Sequence, residues 1–79
     1  MEKRLSKIIS DIFDIKQHEI TNESSMENIE KWDSLGHLKL IIAIEKEFGV
    51  SLGTVEMIEL TSFTKIILYL KDSINPGSD

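Results

Sequence analysis

Asp33-Ser34-Leu35 places a serine hydroxyl directly ahead of an apolar run, Leu35 to Phe48, and just after the chain's single tryptophan, Trp32. If that run is a helix, its first-turn N–H groups have no intrahelical carbonyl partner, and a serine there has two uses. Its oxygen can accept hydrogen bonds from those groups as a cap. It can also carry a phosphodiester, whose charge the same groups and the positive end of the helix dipole stabilise. Position alone does not distinguish the two. His37, three residues on, suggests a third use, a serine–histidine hydrolytic pair. Nucleophilic catalysis also needs an oriented base, oxyanion donors and a pocket that excludes water, for which a chain of 79 residues has little room. His37 reads instead as an exposed helical residue. His18 is too distant to suggest a paired metal ligand, and no stretch has the carboxylate spacing of a calcium loop. No catalytic residue and no metal site is assigned.

The composition narrows the field further. With no cysteine there is no disulfide, no thiolate nucleophile and no cysteine metal site, so any thiol chemistry has to arrive on a cofactor. Fourteen acidic against nine basic residues give a net charge of −5, which repels nucleic-acid phosphates and favours basic protein surfaces as partners. No apolar run approaches the roughly 20 residues of a membrane span, so no membrane partner is expected. Met1-Glu2-Lys3-Arg4 leads into an amphipathic pattern rather than a signal-peptide core, and a cytoplasmic location is expected. At 41% apolar residues the chain can bury one thin core, in one domain over residues 1–74 with a frayed tail over 75–79.

Elements follow from periodicity. Leu5, Ile8, Ile9, Ile12 and Phe13 fall on one helical face and predict a first helix from about Glu2 to Asp14. From Ile15 to Asp33 the period fades into turn chemistry at Thr21, Asn22, Ser24, Ser25 and Asn28, with Ile20, Met26 and Ile29 as apolar pins for a long loop. A second helix runs from Ser34 to Phe48 and is apolar on more faces than one buried stripe requires. If Leu40, Ile41, Ile44 and Phe48 face the core, then Leu35, Leu38 and Ile42 form a second stripe beside Ser34. Such a stripe marks either a partner site or the rim of the core. Gly49 ends that helix, Thr54 caps a short one through about Glu59, and Ser62 caps a last one ending near Ser73, before Asn75-Pro76-Gly77. The expected fold is all-α: a small bundle of three main helices plus one short helix.

The longer string WDSLGHLKLIIAIEKEFGV, Trp32 to Val50, resembles the signature of acyl carrier proteins over its whole length, including the Phe48-Gly49 stop. The resemblance implies that Ser34, flanked by Asp33 and Leu35, carries a 4′-phosphopantetheine arm donated from coenzyme A by a phosphopantetheinyl transferase. The arm's terminal thiol would hold acyl groups as thioesters and pass them between acyl-transferring and acyl-modifying enzymes. The protein itself would be a monomer and not an enzyme. It further implies a partner face, assigned to Trp32, Leu35, Leu38, Ile42, Glu45, Val55 and Ile58. An interior acyl cleft is assigned to Leu40, Ile44, Leu52, Met57, Leu60, Phe63 and Ile67, all of which also read as plain core. The long loop is accounted for as well, since carrier proteins join their first two helices this way.

Two departures bear on pathway. Carriers of fatty-acid synthesis typically place acidic residues along the second helix, where this chain has Gly36, Lys39 and Lys46; Asp33, Glu45 and Glu47 retain acidity. Val55 and Ile58 are apolar where that family often has charge. The expectation is a stand-alone carrier of fatty-acid, polyketide or other specialised acyl biosynthesis. The alternative is an unmodified helical interaction module whose exposed stripe docks a partner.

Overall fold

A computed structural model describes residues 1–74, and the tail expected over 75–79 lies outside the described residues. Among the described residues four α-helices follow one another: α1 Glu2–Phe13, α2 Ser34–Phe48, α3 Thr54–Glu59 and α4 Phe63–Ile74. A single 3₁₀ turn, Gln17–Glu19, interrupts the long connection between α1 and α2. The all-α fold with one short helix is the architecture expected from periodicity.

The amphipathic stripes converge on one core. Leu5, Ile9 and Phe13 of α1, Leu40 and Ile44 of α2, and Phe63, Ile66, Ile67 and Leu70 of α4 are buried together with Leu60 and Trp32. Burying apolar area in this way is the main driving force for a bundle this small. The helix ends show why the segments stop where they do. Asp14 ends α1 in the left-handed region at φ 55°, where its N–H and that of Ile15 both reach the Ser10 carbonyl. Gly49 ends α2 the same way at φ 66°, a conformation that costs glycine nothing. For α3 the cap position belongs to Gly53 rather than the expected Thr54, and Glu56 Oε1 accepts from the Gly53 N–H at 3.0 Å. Ser62 caps α4 as expected, accepting from the Lys65 N–H at 3.2 Å.

The long connection is stitched down by backbone rather than left as a free loop. The Phe63 N–H donates to the Ser24 carbonyl at 2.8 Å, and the Met26 N–H donates to the Thr61 carbonyl at 3.0 Å. Thr64 Oγ1 donates to the Asn22 carbonyl at 2.7 Å. Ile20, Met26 and Ile29 pack against the core as the expected pins. The connection is thereby fixed at both the α3–α4 junction and the start of α2, where it delivers Trp32, Asp33 and Ser34.

Candidate functional site

Ser34 is the first residue of α2, with its side chain exposed. The cap is made by Asp33, whose Oδ1 accepts from the Gly36 N–H at 2.8 Å, while the Asp33 carbonyl accepts from the His37 N–H at 2.7 Å. Of the two uses of a helix-start serine, capping is therefore taken by its neighbour. The Ser34 and Leu35 N–H groups remain among the first-turn donors that no carbonyl within the helix can reach. Gly36 is required by a close approach: a Cβ there would collide with the Lys31 carbonyl oxygen and lie 2.8 Å from the Phe13 ring. That contact seats the first turn of α2 against α1.

Around the serine the surface is apolar. Leu35 is 63% exposed, Leu38 and Ile42 are each 45% exposed, and Val55 and Ile58 of α3 are exposed as well. All five belong to the expected partner face; Leu38 and Ile58 share a groove with Ser34, whereas Leu35 lines a separate hollow with Ile12, Phe13, Gly36 and Lys39. The groove is open, has a volume of about 350 Å³, and is lined by Ser34, His37, Leu38, Met57, Ile58 and Thr61, with Met26 at its edge.

Trp32 and Glu45 do not join that face. Trp32 is only 1% exposed, and its ring stacks on Phe13 with centroids 5.5 Å apart. A tryptophan between Lys31 and Asp33 in a polar connection looks available to a partner, but the connection folds it inward as a core side chain. Glu45 is half-buried, and its Oε2 accepts from the Leu52 N–H at 2.8 Å, pinning the segment that leads to α3.

His37 also departs from expectation. Instead of lying exposed it is 7% exposed and bonded at both ring nitrogens. The Trp32 Nε1–H donates to His37 Nδ1 at 2.9 Å, and His37 Nε2 meets the Met57 carbonyl at 2.6 Å. Since indole only donates and a carbonyl only accepts, Nδ1 serves as acceptor and Nε2–H as donor. Both nitrogens face away from base chemistry at Ser34, so no serine–histidine pair forms. The signal was present in the sequence: His37 continues the Leu40, Ile41, Ile44 stripe one turn backwards. Of the expected cleft residues, Met57 lines the open groove and Leu52 packs at the core's edge. Leu40, Ile44, Leu60, Phe63 and Ile67 are buried in the core itself.

Residues 3–70 match the family model described as phosphopantetheine attachment site. The acyl carrier protein of Buchnera aphidicola subsp. Schizaphis graminum (strain Sg) is 36% identical over 72 residues, covering 91% of this chain and 91% of that protein. The chain belongs to the acyl carrier protein family. The cofactor of this carrier is thus 4′-phosphopantetheine, and the residues present suit it. An exposed hydroxyl opens a 15-residue helix beside an apolar groove, and no side chain within the cap competes for it. Among the described residues no helix of the carrier is long and apolar enough to cross a membrane.

Proposed function

We propose that this carrier is modified on Ser34 and shuttles acyl groups between enzymes of a specialised pathway. The carrying observation is the division of labour at the start of α2: Asp33 caps the helix and leaves the Ser34 hydroxyl exposed at its positive end. In the transfer, Ser34 Oγ forms a bond to phosphorus, the pyrophosphate linkage of coenzyme A breaks, and the nucleotide half departs. The attached arm supplies the thiol that the chain lacks, and acyl groups ride on it as thioesters.

The chain's own residues present and orient. Leu35, Leu38 and Ile42 of α2, with Val55 and Ile58 of α3, supply the apolar surface on which a phosphopantetheinyl transferase and the acyl-handling enzymes dock. An exposed apolar patch contiguous with the modified residue is what such sequential partners need in common. No residue of this chain is assigned a catalytic role. A specialised rather than general fatty-acid pathway is favoured by Lys39 and Lys46, both exposed on α2.

The deciding experiment is intact mass after incubation with coenzyme A and a broadly acting phosphopantetheinyl transferase. Wild type gains one phosphopantetheine, and Ser34→Ala gains none while keeping its helical circular dichroism. An unmodified wild type, or labelling that survives Ser34→Ala, would replace the carrier reading with an interaction module.

A further inference from the structure

The groove beside Ser34 lies over the seam between α2 and α3, and His37 is its inner wall. One hydrogen bond crosses that seam: His37 Nε2–H on α2 to the Met57 carbonyl on α3. Behind the imidazole the way inward is filled by rings. Trp32 lies at 6.1 Å between centroids from His37 and at 5.5 Å from Phe13, with interplanar angles of 23° and 28°. Beyond them the core side chains Leu40 and Ile44 are fully buried.

From this arrangement we infer that His37 is a specificity-determining latch, which keeps the bundle interior closed to the arm's cargo and limits that cargo to short acyl groups held in the open groove. The inference rests on the proposed attachment at Ser34. A long alkyl chain entering the α2–α3 seam has to displace the imidazole. That strips the Met57 carbonyl of its donor and leaves the Trp32 Nε1–H buried without an acceptor. A hydrocarbon chain offers neither donor nor acceptor, so it repairs neither loss, and unmade buried hydrogen bonds are the expensive kind. A short acyl group resting in the groove disturbs neither bond and meets Leu38, Met57 and Ile58. The interior residues that resemble an acyl cleft in sequence then act here as closed core.

The test uses the full chain, first confirmed by mass as carrying the arm on Ser34, and then loaded with acetyl, butyryl, octanoyl or dodecanoyl groups. Absent or misplaced loading defeats the attachment reading, whereas everything that follows concerns the latch. Cleavage of each thioester by hydroxylamine is compared with the same acyl thioester of free pantetheine, together with the melting temperature and the Trp32 emission. For wild type, protection stays within about twofold across the series, as for a cargo that never waits on an opening of the fold, and Trp32 emission does not shift with chain length. In His37→Ala, and in His37→Thr as a second small replacement, octanoyl and dodecanoyl become protected about fivefold or more over acetyl, as opened interiors allow. Length-dependent protection or a length-dependent Trp32 shift in wild type overturns the closure. Variants that fold yet stay indifferent to chain length, or that both fail to fold, overturn the assignment of His37 as the latch.

Discussion

Asp33 and Ser34 are adjacent and both suited to a helix start, yet they do different things, and stability measurements separate them. Because Asp33 Oδ1 holds the Gly36 N–H, Asp33→Ala removes the cap and costs about 1 kcal/mol, or about 4–8 °C in a domain of this size. Ser34→Ala removes no cap and changes stability by less than about 0.5 kcal/mol, although it abolishes loading. Thermal melts of the two variants check this directly, and a large loss for Ser34→Ala with none for Asp33→Ala would reverse the roles. At this scale the family was legible because the residues around Ser34 form a long, specific string. The inward turn of Trp32 was not, because it is completed only by the bond to His37. A tryptophan flanked by charges carries no apolar pattern of its own, and its Nε1–Nδ1 bond to His37 exists only once the cap turns the chain.

The helices were readable from hydrophobic spacing, since each needs one stripe against the core, and α2 shows what a second stripe signifies. Leu38 and Ile42 sit one turn apart, half exposed, outside the buried Leu40, Ile41, Ile44 set. Replacing either with Glu therefore leaves the melt nearly unchanged while slowing phosphopantetheine transfer about tenfold or more. Burying the remaining half of a leucine or isoleucine contributes roughly 1 kcal/mol, and desolvating a carboxylate adds to the loss. Transfer kinetics beside thermal melts test the pair, and a large drop in melting temperature for Leu38→Glu would place it in the core instead. The stitching of the long connection was not readable, because the Ser24–Phe63 and Met26–Thr61 bonds join backbone to backbone and leave no mark on side-chain pattern. Between α1 and α4 an exposed ion pair adds to the apolar packing. A backbone hydrogen bond, and then the Lys71 ammonium 3.4 Å away, hold the Glu2 carboxyl below its ordinary value of 4.5. A carboxyl lowered on folding stabilises the protein above that value and stops doing so as pH falls through its folded pKa. The small difference in melting temperature between wild type and Glu2→Gln is accordingly present at neutral pH and vanishes on acidification. A difference that persists undiminished in strong acid would mean that it is not electrostatic.

Over the whole molecule the net charge of −5 suggests an acidic carrier, but the charges are not distributed as that number implies. Two of the acids on α2 are turned to internal use. Glu45 holds the Leu52 N–H, and Glu47 receives both Arg4 Nε at 3.0 Å and a terminal guanidinium nitrogen at 2.9 Å. Arg4 in turn lies over the Phe48 ring, 4.6 Å from its centroid. What α2 presents to an approaching enzyme is therefore Ser34, the apolar stripe, the exposed lysines Lys39 and Lys46, and a Glu47 carboxylate that stays exposed but is already paired with Arg4. Composition could not show this, because which carboxylates are engaged depends on partners as distant as Arg4. Enzymes of fatty-acid synthesis that approach through basic patches meet like charge on this helix, so wild type is a poor substrate for them. Lys39→Glu with Lys46→Glu removes two positive charges and adds two negative ones. At low ionic strength, where screening lengths are about 30 Å, this raises kcat/KM with those enzymes on the order of three- to tenfold, mainly through association rate. The gain shrinks as salt is added, and the melt is unaffected because both side chains are exposed. Equal performance of wild type and a conventional carrier with those enzymes, or no response to the double substitution at low salt, would make the two lysines ordinary solvated surface and remove the charge-based support for a specialised pathway.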